Sequence, residues 1–338
     1  MSRVYVANTD GQDLSVFDLD EAGTLRGIAT LAVQSPPQTG RSMVLAMDPG
    51  RTLLYAGYLS GTHYAVATFA LDPYSGLPTR LGTTPLADTM AYLATDGSGR
   101  YLLGASYAGH RVTVNAIGPD GTVGELLQSL PTAPKAHCIL TDSCNRHVLY
   151  TSLGADLVYV QGFDAGGAVP LTPDPATLSM PTGSGSRFLA FAPDNRFVYV
   201  NGELDGSVAV LPYDGLTGRL QPAVQTQSIL ADDFSGKPWA ADLKLTPDGR
   251  HLYVSERTGS TVTAFAVEAG GAALRRLAIV PSVRQPRALG IDPAGRFLVA
   301  AGQLSNSVAV YAIDPAGGAL SWLAEYPAGR NPTWIEIL

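Results

Sequence analysis

Residues 242–274, DLKLTPDGRHLYVSERTGSTVTAFAVEAGGAAL, decide the fold. LKLT is an apolar strand, and Pro247-Asp248-Gly249 is its turn, proline presetting φ and glycine accepting a positive one. HLYVSE follows as a second strand, Arg257-Thr258-Gly259-Ser260 turns again, and TVTAFAV alternates as a third. The pair Gly270-Gly271 then leads into ALRRLAIV, a fourth strand. Four short antiparallel strands in this order make one blade of a propeller.

The same phrase, a strand, a turn ending in Gly-Arg or Asn-Arg and a second strand, recurs along the chain. Its turn arginines are Arg51, Arg100, Arg146, Arg196, Arg250 and Arg296, spaced by 49, 46, 50, 54 and 46 residues. Those spacings exceed ankyrin, tetratricopeptide and leucine-rich units and suit propeller blades. Six copies open with an inner strand of their own, but the N-terminus starts on a second strand, RVYVAN, followed by LSVFDLD and TLRGIATLAV. The terminal TWIEIL has no second strand after it, so it supplies the missing inner strand and closes the ring. The expectation is an all-β, seven-bladed β-propeller with four antiparallel strands per blade, forming a single domain over residues 1–338.

Composition agrees and narrows the partners. The chain is 15% charged and 46% hydrophobic, with 37 Gly and 24 Pro spread along it, as many strands and tight turns require. A net charge of −7 without a Lys/Arg run argues against nucleic acid and anionic membrane surfaces. MSRVYVAN passes directly into a strand pattern without signal-peptide features, so a cytoplasmic location is expected, as a monomer or weak homodimer. The only cysteines, Cys138 and Cys144, match no metal or redox spacing.

Aligning the blades places chemistry at one end of the channel. The residues that open the inner strands are Met43, Ala91, His137, Arg187, Ala241, Arg287 and Thr333. The second strand runs back to the same end. Seven residues past the turn arginines stand Tyr58, Tyr107, Leu153, Glu203, Arg257 and Gln303, with Thr9 equivalent in the split blade. Two registers therefore bring His137, Arg187, Glu203, Arg257 and Arg287 to one mouth. Singly, each has an ordinary structural use, as a core histidine, a carbonyl cap or an ion pair. Together they make a cationic pocket in an acidic protein, suited to a phosphate or carboxylate on a small molecule. The same excess disfavours a metal centre, and no cofactor is expected. His137 or Glu203 is placed to take a proton from water and an arginine to hold an oxyanion. Further candidates for substrate contact are Arg287, Gln303, Tyr107, Trp239 and Asp242; Trp239 also has an ordinary use as a channel plug, and Asp242 as a cap for backbone amides.

Residues 231–258, ADDFSGKPWAADLKLTPDGRHLYVSERT, together with Gln285-Pro286-Arg287, Ala300-Ala301-Gly302-Gln303 and Asn331-Pro332-Thr333-Trp334, resemble the seven-bladed β-propeller lactonase family over essentially the whole chain. The resemblance implies metal-independent hydrolysis of the lactone of an anionic sugar acid, 6-phosphogluconolactone or a similar compound. The related fungal carboxymuconate cyclases imply an alternative, a cycloisomerase acting on a muconate-like dicarboxylate. Their His, two Arg and Glu fall by motif on His137, Arg187, Arg257 and Glu203. A non-catalytic propeller that binds a partner on its face is the third possibility. The family's Pro-Arg-His reads Ser186-Arg187-Phe188 here, and its Ser-Tyr-Asn-Ala-Gly reads Ser106-Tyr107-Ala108-Gly109.

Overall fold

The computed structural model describes residues 2–34, 42–60 and 62–338. Seven antiparallel sheets surround one axis, and their inner strands touch in cyclic order. Blade 1 is the split blade: Pro332–Ile337 lies inside Ser2–Asn8, Asp13–Leu19 and Leu25–Ala32, with Val6 opposite Ile335. Blades 2, 3 and 4 open on Val44–Met47, Tyr92–Thr95 and Ala136–Thr141; blades 5, 6 and 7 open on Ser186–Phe191, Ala240–Leu245 and Pro286–Ile291. In blade 5 the outer edge is divided between Arg219–Leu220 and Gln225–Ser228, both paired with Ser207–Asp214. The stretch from 225 therefore begins as a strand.

Turn chemistry explains the recurring phrase. At the end of the inner strand an aspartate, Asp48, Asp96, Asp142 or Asp292, accepts two amides four and five residues on, closing the reversal. One residue of each turn is left-handed: Gly99, Asn145, Asn195, Gly249 and Gly295, but in blade 2 it is Arg51, at φ 56°. Arg51 thus fills the glycine position and Thr52 the arginine position. The mouth position of blade 2 is accordingly Leu59; Tyr58 is buried, and its hydroxyl accepts from Arg80.

Blades are latched to their successors. Tyr5, Tyr55, Tyr199 and Tyr253, equivalent on their second strands, donate to Gly76, Gly121, Gly271 and Gly318 carbonyls of the next blade at 2.6, 3.0, 3.0 and 2.9 Å. Burial pushes Tyr5 and Tyr199 up to about 12, which keeps the phenols as donors. Tyr92, Phe188 and Trp334 pack edge to face at 5.0, 5.0 and 5.8 Å. They come from blades 3, 5 and 1, which are not neighbours, so they meet only on the axis and close the channel beneath the mouth. Trp239, one candidate for that plug, instead stands at the rim, 38% exposed.

Candidate active site at one mouth of the channel

The inner strands are irregular where the mouth residues sit. Pairing with the second strand skips between Ala136 and Ile139, Ser186 and Leu189, Ala240 and Leu243, and Pro286 and Ala288. His137, Arg187, Ala241 and Arg287 lie inside these bulges, which turn a side chain out of the blade toward the channel end. A bulge leaves an amide without its ladder partner, and the second strand supplies a side chain for it. Cys138 N donates to Thr151 Oγ1, Phe188 N to Asn201 Oδ1 and Asp242 N to Ser255 Oγ at 3.1, 2.8 and 2.9 Å. Thr151, Asn201 and Ser255 are fully buried. Sequence reasoning passed over them, although a polar residue five places after the turn arginine, inside an apolar strand, was a visible signal.

The mouth is a cavity of about 600 Å³ lined by His137, Arg187, Glu203, Arg257 and Arg287, with Tyr107, Trp239 and Lys135 among the others. The five residues expected together are together. Glu203 Oε2 is the hub: Arg187 Nε donates to it at 2.8 Å and Arg257 Nη2 at 2.9 Å. Both guanidiniums are nearly sealed from solvent, their side chains 2% and 4% exposed, whereas Glu203 is 12% exposed. Arg187 Nη1 also donates to the Ala241 carbonyl, and Arg257 to the carbonyls of Trp239 and Ala240. The Arg257 guanidinium stacks over the Trp239 ring, 3.9 Å from its centre. Arg287 Nη2 donates to Ser42 Oγ across the ring.

Burial and crowded cations set the electrostatics. Burial first, then Arg187, Arg287 and Arg257, hold His137 well below the ordinary imidazole value, so it is neutral at neutral pH. Its Nδ1 is buried without a hydrogen-bond partner. Burial and Arg187 bring Arg287 down to about 10, which still leaves it charged at neutral pH. Arg257 is lowered by burial and Arg187 and supported by Glu203.

Two substrate-contact candidates stand elsewhere. Asp242 is the second residue of its bulge and faces the closed channel, where Oδ2 accepts Leu289 N at 2.8 Å, Oδ1 accepts Leu243 N at 2.7 Å, and Lys244 lies 3.6 Å away. It caps the backbone of the next blade rather than lining the cavity. Gln303 is one step removed, its Nε2 donating 2.9 Å to Asn331 Oδ1, and Asn331 reaches the cavity.

A third register was missed: two residues before each inner-strand opening. Thr89, Lys135, Trp239 and Asn331 occupy it and all line the mouth. Its carbonyl accepts the amide that ends the second strand, as in Leu153 N to Lys135 O, Arg257 N to Trp239 O and Thr9 N to Asn331 O. Among the described residues, four cationic side chains, Lys135, Arg187, Arg257 and Arg287, thus face one carboxylate, Glu203, in the cavity wall. Among the described residues no three His, Cys, Asp or Glu side chains are placed to hold a metal ion, and no helix is long and apolar enough to cross a membrane.

A family model described as "Lactonase, 7-bladed beta-propeller" matches residues 3–337. The chain is 36% identical over 290 residues to a 6-phosphogluconolactonase of Serratia proteamaculans, covering 86% of this chain and 84% of that protein. It is 38% identical over 291 residues to a 6-phosphogluconolactonase of Sodalis glossinidius, with the same shares covered. A periplasmic gluconolactonase structure from Pseudomonas aeruginosa superposes at a TM-score of 0.88 with 28% identity, over 100% of this chain and 99% of that one.

Proposed function

The chain belongs to the family of seven-bladed β-propeller lactonases, and on that premise we propose that its cationic mouth hydrolyses the lactone of an anionic sugar acid, 6-phosphogluconolactone or a close analogue. The observation that carries the reading is a neutral imidazole, its Nδ1 buried without a hydrogen-bond partner, beside the described cations Lys135, Arg187, Arg257 and Arg287 in one open cavity. Relatives that bear the name 6-phosphogluconolactonase support hydrolysis over cycloisomerisation.

In this reading His137 takes a proton from water as that water attacks the lactone carbonyl. The oxyanion that forms lies beside guanidinium donors that are already fixed and dry, and so cost no reorganisation when charge develops. Arg187 and Arg257 each spend two nitrogens on protein acceptors and keep one for substrate. As the tetrahedral centre collapses, the ring oxygen leaves and receives the proton from the imidazolium, giving the open hydroxy acid. Glu203, holding two arginines on one oxygen, serves here as the positioning residue for them. A phosphorylated lactone is charged and confined to the compartment that makes it, so we assign the reaction to the cytoplasm.

The test is base uptake in a pH-stat with 6-phosphoglucono-δ-lactone and glucono-δ-lactone, chelator present. Turnover above spontaneous ring opening is expected, and its absence with every lactone tried would defeat the reading.

A further inference from the structure

Among the described residues, Lys135 is the cation in the mouth that no acid or hydrogen-bond acceptor of the protein engages. Arg187 and Arg257 are engaged by Glu203, and Arg287 by Ser42. Among the described residues the Lys135 ammonium has neither a carboxylate nor a hydrogen-bond partner; it lies over the Tyr107 ring, 5.6 Å from its centre. Its backbone is nevertheless fixed. Lys135 is left-handed at φ 67°, its carbonyl accepts Leu153 N at 3.0 Å, and its amide donates to His110 Nδ1 at 3.0 Å.

That last bond decides the chemistry of His110. A nitrogen that accepts from a backbone amide carries no proton, so the proton of the neutral ring is on Nε2, making it a donor. His110 lines the same cavity as Lys135. An ammonium and an N–H donor that line one cavity, with no carboxylate paired to either among the described residues, can bind an anion together. Tyr107 stands between this pair and the reacting end, since its other neighbour is His137, with ring centres 5.7 Å apart.

We propose that Lys135 and His110 form the subsite that holds a phosphate ester on the side arm of the substrate, while the arginines face the lactone carbonyl. The inference rests on the lactonase reading of the mouth, but its test has an arm that does not. Lys135 would confer preference for phosphorylated over neutral lactones, because its charge meets only the side arm.

Lys135→Gln keeps most of the stem and removes the charge. The ratio of kcat/KM for 6-phosphoglucono-δ-lactone to that for glucono-δ-lactone is expected to fall about ten- to hundredfold, the worth of one hydrogen bond to a charged group. The loss should lie in KM rather than kcat, and Lys135→Arg should restore part of it. Calorimetric titration with inorganic phosphate isolates the subsite from the reaction: its affinity should fall at least tenfold in Lys135→Gln. Phosphate binding that survives Lys135→Gln but disappears in Arg287→Gln would overturn the proposal, as would an unchanged substrate ratio. If phosphate binding depends on Lys135 while no lactone is turned over, the subsite stands and the hydrolase reading falls.

Discussion

Replacing Glu203 with glutamine removes one charge and little volume, and its consequence follows from the two guanidiniums on Oε2. Each pair is bonded at 2.8 or 2.9 Å, with both arginine side chains at most 4% exposed. Unit charges about 4 Å apart at an effective dielectric near 20 attract by about 4 kcal/mol. The carboxylate therefore gains roughly twice that from two arginines, against the cost of its own desolvation. Glutamine leaves one oxygen to accept, but sets two nearly dry cations against each other. Breaking a buried pair on one side costs about 3–5 kcal/mol, and the partial exposure of Glu203 places this case near 3. At about 1.4 °C per kcal/mol for a chain of this size, the melting temperature should drop by roughly 4 °C.

Phosphate makes the test specific. An anion able to sit between the two guanidiniums should stabilise Glu203→Gln more than wild type; a site present only in the variant adds about 2.7 kcal/mol at a hundredfold excess over its dissociation constant. The measurement is scanning calorimetry with and without phosphate, paired with lactone turnover, which should fall by about two orders of magnitude as the arginines lose their aim. A variant that melts with wild type, or phosphate that raises both proteins alike, would refute the idea that Glu203 clamps the arginines.

His137 gives a pH signature. Its folded value lies below the unfolded 6.5, so between the two values the unfolded chain binds the extra proton; this contribution is complete above 6.5 and lost as pH falls through and below it. His251, also lowered by burial, acts in the same direction, so the readout is the difference between wild type and His137→Gln, which should narrow from pH 7.5 to pH 5 in urea titrations; a constant difference would mean that the imidazole is not held neutral. Tyr253→Phe should cost about 1–2 kcal/mol by leaving the Gly318 carbonyl without its donor, and Tyr199→Phe should add to it independently; a neutral pair would show that the latches contribute packing alone.

What the sequence disclosed and what it hid divide along the repeat. The blade phrase was legible because its turns demand particular residues: an aspartate to accept two amides, a left-handed position, then a strand. The closing strand was legible because Pro332–Ile337 had no partner in its own neighbourhood and Ser2–Asn8 had none on its inner side. His137, Arg187, Glu203, Arg257 and Arg287 were found by counting from those turns, and counting fails where a turn is filled differently. Arg51 in the glycine position shifted blade 2 by one residue, putting Tyr58 at a mouth it does not reach. Counting also carries no information on bulges. Asp242 is the second residue inside the bulge, and pairing that skips from Ala240 to Leu243 sends its carboxylate to Leu289 N in the next blade instead of the cavity. Lys135 and His110 also stand in repeat registers: His110 Nδ1 accepts the amide two residues before the inner-strand opening, as Asp156, Ser260 and Asn306 side chains do in other blades, so the positions could be counted and only the residues that fill them differ. The backbone bonds at these positions recur from blade to blade and build the ring, while the side chain carried there differs, as Thr89, Lys135, Trp239 and Asn331 do at one register. A lysine at the Lys135 position of blade 4 can therefore be exchanged without loosening the clamp around Glu203, which is why preference for a phosphorylated lactone and the power to open one should separate by mutation.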